Sequence, residues 1–281
     1  MSALLGDTAV KVIIGIITAI AVYYVTEMVK ARYRVVQMTS RNRNKYYTQF
    51  ANLYCDRIES EQQIYPSIIA DHAVDKKISP RSRRQLKRMG KGSAHYPTAH
   101  QLYLAVQKSK VLGFLCILIN LQRSYVFVAY VGVVHSPEAP GDIMQRMLNK
   151  AHQRVREILA SEVYLFEVAP PISEATTSRA KFRLFRDYAK RLSLAAYRLP
   201  VAYIQPDMDP ESLDGSTEAL ADLCIASADL VANSPSRDSA LRYVWSVYFD
   251  IYLRSFPDLD LQPKYLDYLK SLYSLIEGQN A

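Results

Sequence analysis

The sequence predicts a mixed α/β domain with a mostly antiparallel sheet and flanking helices, one apolar helix near the N-terminus and a helical C-terminal tail. Three observations lead to this fold class. Residues 12–26 contain no charged side chain. Residues 101–134 are rich in β-branched and aromatic residues, interrupted only by short polar segments. From residue 142 onward, apolar residues recur at helical spacing, with short strand-like runs between the helical segments.

The composition favours a folded domain with a basic surface. Of the 281 residues, 49% are hydrophobic and 22% are charged, so the chain can bury a core. The formal net charge of +8 predicts an anionic neighbour, without choosing among lipid headgroups, nucleic acid and phosphate-bearing ligands. The three cysteines are odd in number and lack metal-ligand spacing, so we expect reduced thiols and no metal site.

The uncharged run predicts a membrane anchor. Residues 12–26 are apolar on all sides of a helix, whereas a surface helix carries one apolar stripe. Met28 and Val29 lengthen the run towards the roughly 20 residues that a spanning helix needs. We therefore predict a single-pass transmembrane anchor at residues 8–30. Two alternatives are a signal-peptidase site at Ala19-Ile20-Ala21 and a buried core helix.

Charge asymmetry orients the predicted anchor. Asp7 and Lys11 precede the run, and six basic residues follow it: Lys30, Arg32, Arg34, Arg41, Arg43 and Lys45. Because the cytoplasmic flank of a membrane helix carries the excess of Lys and Arg, we expect the C-terminal domain in the cytoplasm. Membrane lipid is then a partner of the N-terminal helix.

Residues 31–99 are predicted to be a helical and basic region that packs on, or leads into, a domain at residues 100–281. A helix over residues 45–70, which Pro66 ends or kinks, is indicated by apolar residues at helical spacing: Tyr47, Phe50, Tyr54 and Ile58.

A basic stretch follows, from Lys76 to Lys91, with eight Lys or Arg and no acidic residue. It fits a solvated surface, or a patch that contacts anionic lipid at about 1 kcal/mol per basic residue. The sequence has no recognisable nucleic-acid-binding motif, so nucleic acid is the less favoured partner.

The elements expected in the C-terminal domain alternate between strand and helix. The pattern predicts strands at residues 101–106, 111–120 and 124–134, a helix at 142–159, a strand at 162–168, a helix at 177–194 and a strand at 201–205. Residues 220–226 fit a strand or a helix, and helices at 240–256 and 264–276 close the chain.

This succession, with the segments VLGFLCILI, YVFVAYVGVV, VYLFEVAPP, FRDYAKRLSL and AYIQP, resembles the GNAT superfamily of acyl-CoA-dependent N-acyltransferases. The resemblance covers roughly residues 100–276. It implies a mixed sheet in which two central strands part and hold acetyl-CoA or another acyl-CoA. It also implies an amine as the acceptor.

The resemblance places the acyl-CoA where the fourth strand turns into a helix. The amides of a glycine-rich loop and of a helix N-terminus hold pyrophosphate in such a site. The family's loop is reduced here to Gly141, and Pro140 before it has no N–H. Asp142 fits a helix N-cap as well as a ligand position. The residues implied in acyl-CoA binding are Val133, Val134, Gly141, Asp142 and Ile143.

The resemblance also implies an acid and a base. Tyr188 stands one residue from the register of the family's general acid, and Ser193 occupies a position where glycine is usual. Ala129 replaces the family's glutamate on the fourth strand, which leaves His135 at the strand end as a candidate base. Each candidate also has a structural interpretation, with Tyr188 as a core residue and His135 as a loop residue.

Two functions follow from these observations. The chain is a membrane-anchored N-acyltransferase, or it is a catalytically inactive GNAT fold that binds or regulates an unidentified protein partner at the cytoplasmic membrane face. A third alternative is an anionic-lipid or nucleic-acid binder that acts through the basic stretch. Motifs of serine hydrolases, HExxH metalloproteases and P-loop proteins do not occur in the sequence.

Overall fold

The computed structural model describes residues 33–58, 66–75, 98–134, 142–159, 163–168, 177–208, 219–230, 234–253 and 262–278. These residues form eight strands and six helices. The strands are β1 Tyr33–Gln37, β2 Thr98–Gln107, β3 Lys110–Asn120, β4 Tyr125–Val133, β5 Val163–Val168, β6 Ala195–Arg198, β7 Tyr203–Gln205 and β8 Ala219–Ser227. The helices are α1 Arg43–Arg57, α2 Pro66–Asp75, α3 Ile143–Ile158, α4 Thr177–Arg191, α5 Arg237–Ser246 and α6 Gln262–Gly278, and α5 continues into a π-helical turn at Val247–Tyr252.

All strands join one mixed sheet. Its order is β1-β2-β3-β4-β5-β8-β6, with β7 also pairing β8. The pairing of β4 with β5 is parallel, and the other pairings are antiparallel. Because parallel neighbours need a crossover connection, the chain runs through α3 between these two strands. The mixed, mostly antiparallel sheet predicted from the sequence is confirmed.

Two hairpins build the centre of the sheet. The β2–β3 turn places Lys108 and Ser109 at φ values of 45° and 75°, the left-handed conformation that a two-residue hairpin turn requires. The apolar run of β3 is buried along its whole length after Lys110, as expected for a strand covered on both faces.

Helices cover both faces of the sheet. One face packs against α1, α2, α5 and α6, and its core includes Phe50, Phe114 and Leu165. The other face packs against α3 and α4, and its core includes Met147 and Phe166. We call these the α1 face and the α3 face.

A buried carboxylate fixes the C-terminal helices to the hairpin between β3 and β4. Asp250, in the π-helical turn, is 2% exposed. Its Oδ2 accepts hydrogen bonds from Arg123 Nε at 2.7 Å, Ser246 Oγ at 2.7 Å and Asn120 Nδ2 at 3.1 Å. Because these donors satisfy the charge, the network stabilises the contact between the tail and the sheet.

The structure differs from the sequence prediction in two places and decides one alternative that the sequence left open. The helix predicted over residues 45–70 is two helices, and Pro66 begins the second, since proline is well suited to a first helical turn. Residues 220–226 lie in a strand, β8. Strands β1 and β6 were not predicted, because both are short edge strands whose pairing depends on a distant neighbour.

The predicted anchor at residues 8–30 and the basic stretch from Lys76 to Lys91 lie outside the described residues. In the part of the chain that the structure describes, the helices are too short or too polar to cross a bilayer.

A substitution at Gly132 in β4 tests how tightly the centre of the sheet is packed. A Cβ atom on Gly132 lies 2.4 Å from Cε1 of Phe114, whose ring is fully buried between Phe50 and Tyr54. The ring has no room to move, so we expect Gly132→Ala to lower the free energy of unfolding by about 1–3 kcal/mol. Chemical denaturation measures this change.

The control is Gly278→Ala at the end of α6, where an added Cβ meets no atom within 4 Å. It should leave stability unchanged or raise it slightly, because alanine is the better helix former. Equal stability of the two variants would contradict the packing described for Gly132.

Candidate active site

Strands β4 and β5 part after three paired residues. Val126, Phe127 and Val128 pair with β5. Glu167 and Val168, at the end of β5, pair with β8 on their other side. Ala129 is a bulge, since Val128 pairs with Ile117 and Tyr130 pairs with the preceding residue of β3. From this bulge onward β4 follows β3 and leaves β5.

The parting leaves side chains exposed on a central strand. The first four residues of β4 are buried, as expected between two neighbouring strands. Beyond them Ala129, Tyr130 and Val133 are partly exposed, and Val131 is 38% exposed. The β4–β5 pairing therefore ends where β4 becomes exposed, and we call the gap between the C-terminal ends of these two strands the cleft.

The backbone of β4 presents one of the two predicted acyl-CoA-binding valines to this cleft. The amide of Val134 donates to the carbonyl of Leu112 on β3 at 2.9 Å. Successive backbone amides of a strand point to opposite sides. The N–H and C=O of Val133 therefore point away from β3, towards the side that β5 has left, whereas the amide of Val134 is committed to the sheet.

Helix α3 begins beside the cleft, and Asp142 is its N-cap residue. The Asp142 side chain does not cap the helix. Its Oδ1 accepts from the hydroxyl of Tyr33 and its Oδ2 from Nε of Arg146, both at 2.7 Å. Burial opposes ionisation, but these two hydrogen bonds outweigh it and lower the pKa of Asp142. The negative charge at the helix start is therefore matched by Arg146, which also lies over the Tyr33 ring at 4.8 Å.

The first turn of α3 offers backbone amides to an anion. The first backbone hydrogen bond of the helix runs from the amide of Arg146 to the carbonyl of Asp142. In a helix that begins at Ile143, the amides of the three residues before Arg146 have no acceptor within the helix, and the helix dipole favours negative charge there. The side chain of Ile143 is 1% exposed and packs in the core of the α3 face, so only its backbone can serve a ligand.

Tyr188 lies on α4, on the α3 face, and is 7% exposed. Its hydroxyl has no hydrogen-bond partner among the residues described. A buried hydroxyl without a partner costs about 1–3 kcal/mol, which suggests a site for a ligand atom. Burial also raises the pKa of Tyr188, so the phenol keeps its proton at neutral pH.

Aromatic contacts connect Tyr188 to the parting strands. Its ring meets that of Phe185 edge to face, with centroids 6.4 Å apart. Phe185 in turn stacks on Phe166 at 3.6 Å, and Phe166 is the last residue of β5 that pairs with β4. Helix α4 ends at Arg191, and Ser193, two residues later, has a φ of 60°, the left-handed conformation that favours glycine. Ser193, at a position where glycine is usual in the resemblance, thus has a backbone conformation that glycine adopts readily.

Glu167 is a functional candidate that the sequence reasoning missed. It lies at the end of β5 and faces the α1 face, opposite to Tyr188. Its carboxylate accepts hydrogen bonds from the hydroxyls of Tyr203 and Tyr252, the latter at 2.7 Å. Burial raises the pKa of Glu167 to about 7, although the two hydrogen bonds act in the opposite direction. A carboxyl group with this pKa can accept and release a proton at neutral pH.

Tyrosine side chains surround this carboxyl group. Tyr130, the first residue after the bulge of β4, contributes to the same electrostatic environment as Glu167, and burial raises its pKa well above the usual value. Its ring meets that of Tyr54 edge to face at 5.2 Å. The α1 face of the cleft therefore combines one acid with neutral aromatic groups. The alternation Val163, Leu165, Glu167 is the signal in the sequence, since it places a carboxylate on a core face.

The remaining predicted site residues are placed as follows. His135 and Gly141 lie outside the described residues. Ala129, which the resemblance aligned with a catalytic glutamate, is the bulge residue of β4. Val133, Asp142 and Tyr188 lie around the parting strands, although Asp142 is tied to Tyr33 and Arg146. Clusters of His, Cys, Asp or Glu suited to a metal are absent from the described part of the chain.

Comparison with known proteins gives only distant structural likenesses. No protein-family model matches the sequence, and no curated protein matches it. A structure assigned as a streptothricin acetyltransferase from Bacillus anthracis, in complex with acetyl coenzyme A, shares 12% sequence identity with this chain at a TM-score of 0.30. The match covers 48% of this chain and 65% of the acetyltransferase, so this chain spans less than two thirds of that protein's length.

Two further structures match over more of their length. The aminoglycoside 6'-N-acetyltransferase from Enterococcus faecium shares 11% identity at a TM-score of 0.38, over 72% of this chain and 99% of that one. Diaminobutyrate acetyltransferase from Paenibacillus lautus, in complex with its substrate and coenzyme A, shares 18% identity at 0.38, over 73% and 98%. At these identities and TM-scores, the likenesses assign no function to this chain.

The raised pKa of Glu167 makes the stability of the protein depend on pH. A glutamate in the unfolded chain ionises near pH 4.5, whereas folded Glu167 ionises near pH 7. The folded state therefore holds an extra proton between these values, and stability falls as pH rises from about 4.5 to about 7. We expect Glu167→Gln to remove this part of the pH dependence and to be more stable than the wild type at pH 8 by roughly 1–3 kcal/mol.

Urea denaturation at several pH values checks this expectation. Asp267→Asn on the surface of α6 is the control, because the Asp267 side chain is exposed and accepts a hydrogen bond from Nζ of Lys270 at the helix surface. If the free energy of unfolding changes with pH in the same way for the wild type and Glu167→Gln between pH 4.5 and 8, the pKa of Glu167 is not raised in the folded state.

Proposed function

We propose that this chain is a GNAT-type N-acyltransferase that uses an acyl-CoA donor, acts on an amine, and is held at the cytoplasmic face of a membrane by residues 8–30. The observation that supports the enzyme most is the parting of β4 from β5 directly beside the N-terminus of α3. A gap between central strands exposes backbone that an extended amide-containing ligand can pair with, and the helix start favours its phosphate groups.

The proposed acyl-CoA site has two binding elements. The backbone of Val133 pairs with the pantetheine amides, as an added strand would. The first amides of α3 hold the pyrophosphate, and Arg146 offsets the charge of Asp142 there. This arrangement compensates for a loop that has only Gly141 where the GNAT family has several glycines.

The acid and the base lie on opposite faces of the sheet, and the cleft connects them. Acyl-CoA supplies a thioester, whose C–S bond breaks when the amine nitrogen bonds to the acyl carbon. On the α1 face, ionised Glu167 accepts a proton from the ammonium group and so frees the nitrogen lone pair. On the α3 face, the Tyr188 hydroxyl gives its proton to the departing sulfur and is reprotonated from the second proton that the nitrogen releases.

The second candidate is an inactive GNAT fold that binds or regulates a protein at the membrane. The absence of an acid at Ala129 and the poor loop around Gly141 favour it. Glu167 weighs against it, because a buried carboxyl group with a pKa raised to about 7 is typical of a catalytic acid or base. Binding of acyl-CoA separates the two candidates.

Calorimetry of the full chain in detergent with acetyl-CoA is the direct test of binding. We expect micromolar affinity, and Arg146→Gln should weaken it by about tenfold, because the unpaired Asp142 carboxylate then repels the pyrophosphate. Arg154→Gln, two turns further along the same helix, is the matched control and should bind like the wild type. If no heat of binding is measured with acetyl-CoA or with medium-chain and long-chain acyl-CoA, the inactive fold is favoured.

Tyr188→Phe tests the proposed acid. It removes only the hydroxyl, so we expect kcat to fall by roughly 10²-fold or more while KM for the acyl-CoA changes little. Stability should be unchanged or slightly higher, because the buried hydroxyl without a described partner is gone.

The control for Tyr188→Phe is Tyr125→Phe, which removes a hydroxyl bonded to Ser246 at 2.9 Å in the Asp250 network. This variant should lose about 1 kcal/mol of stability and keep its kcat. If kcat of the Tyr188→Phe variant equals that of the wild type, Tyr188 is a core residue and not the general acid.

A further inference from the structure

The start of the described chain lies at the mouth of the cleft. Tyr33, the first residue of β1, pairs with Gln107 at the β2–β3 turn, and its hydroxyl donates to Asp142 at the start of α3. The C-terminal end of β4 lies at this same end of the sheet, because Val133 pairs with Gly113 near that turn. The entry of the chain, the helix start and the parting strands therefore share one end of the sheet, which we call the cleft end.

The length of the preceding segment limits how far the cleft end can lie from a membrane. Seven residue steps separate Thr26, the last residue of the uncharged run, from Tyr33. Even a fully extended chain spans at most about 25 Å over that distance. If residues 8–30 are the anchor, as the proposed function states, the hydrocarbon boundary is therefore no more than about 25 Å from Tyr33.

The opposite end of the sheet is much farther away. Strand β3 runs from Lys110 at the cleft end to Asn120 at the other end. At about 3.3 Å per residue, these ends are about 33 Å apart. A tether of at most about 25 Å at Tyr33 thus favours one orientation of the sheet over the reverse.

Exposed basic side chains surround the entry point. Arg34 lies next to Tyr33, and Lys108 and Lys110 flank the β2–β3 turn; all three are exposed and have no ion pair within the described structure. The nearby Asp142 is neutralised by Arg146. This surface suits anionic headgroups, each basic residue contributing about 1 kcal/mol close to the bilayer.

We propose that the cleft end, formed by the start of β1, the β2–β3 turn and the N-terminus of α3, lies against the anionic headgroups of the membrane, so that the cleft opens onto the bilayer surface. This inference rests on the anchor in the proposed function and adds the orientation of the domain. Acyl-CoA and amine then enter from the headgroup layer.

Two matched labels test this orientation. Ser109, in the β2–β3 turn, and Ser124, in the β3–β4 turn at the opposite end, are both serines with positive φ. Each is changed to Cys in a full-length Cys55→Ser background, since Cys55 is exposed whereas Cys116 and Cys224 are buried. The thiol carries a fluorescent donor, and the chain is reconstituted in vesicles of phosphatidylcholine and phosphatidylglycerol with an acceptor dye on a headgroup.

We expect markedly higher energy transfer from position 109 than from position 124. In the Ser109→Cys chain, Lys108→Glu with Lys110→Glu should reduce the transfer. The control charge reversal is Lys190→Glu with Arg191→Glu, an exposed basic pair at the opposite end of the sheet, which should leave the transfer unchanged.

The other outcomes overturn the inference in distinguishable ways. Equal transfer from the two labels, or higher transfer from position 124, would refute the orientation and leave the anchor standing. Failure of the full chain to remain with the vesicles after carbonate extraction would refute the anchor, and the orientation with it. Acyl-CoA binding is measured separately, so neither result decides the enzymatic proposal.

Discussion

The architecture of the site depends on one limited pairing, the three-residue parallel ladder between β4 and β5. Parallel pairing requires a crossover, so it places α3 against the sheet with its N-terminus at the end of β4. Because the ladder stops at Val128 and a bulge follows at Ala129, the same two strands also open a cleft at that end. The short parallel pairing of β4 with β5 thus brings the N-terminus of α3 close to the exposed backbone of β4.

Electrostatics divides the cleft into two sides. On one side, the carboxylate of Asp142 is satisfied by Tyr33 and Arg146 and has a lowered pKa, which leaves the helix amides to an anion. On the other side, burial of Glu167 raises its pKa to about 7. Two acidic residues at the same end of the sheet, on opposite faces, therefore differ in pKa because their hydrogen-bond donors and solvation differ. This separation is what a proton-accepting group and an anion-binding helix need at the same pH.

The sequence indicated several candidate site residues, but it did not indicate their geometry. The register of Tyr188 and the helix start at Asp142 came from motif and capping patterns, and both lie beside the parting strands. Asp142 is the N-cap residue, as one of the two interpretations from the sequence had it, but its side chain does not cap the helix, because its carboxylate accepts hydrogen bonds from Tyr33, 109 residues earlier, and from Arg146. Glu167 was overlooked because a lone acid in a strand usually faces solvent, whereas the fold buries it and brings the hydroxyls of Tyr203 and Tyr252 to its carboxylate.

The sequence by itself determined the central hairpins, the crossover helix and the helical tail, because their signals are local periodicities of apolar residues and turn conformations. Tertiary structure alone decided the edge strands β1 and β6, the limit of the β4–β5 pairing and the pKa of Glu167. Each of these depends on the distance between residues far apart in the chain, and neither strand pairing nor desolvation can be read from a local pattern.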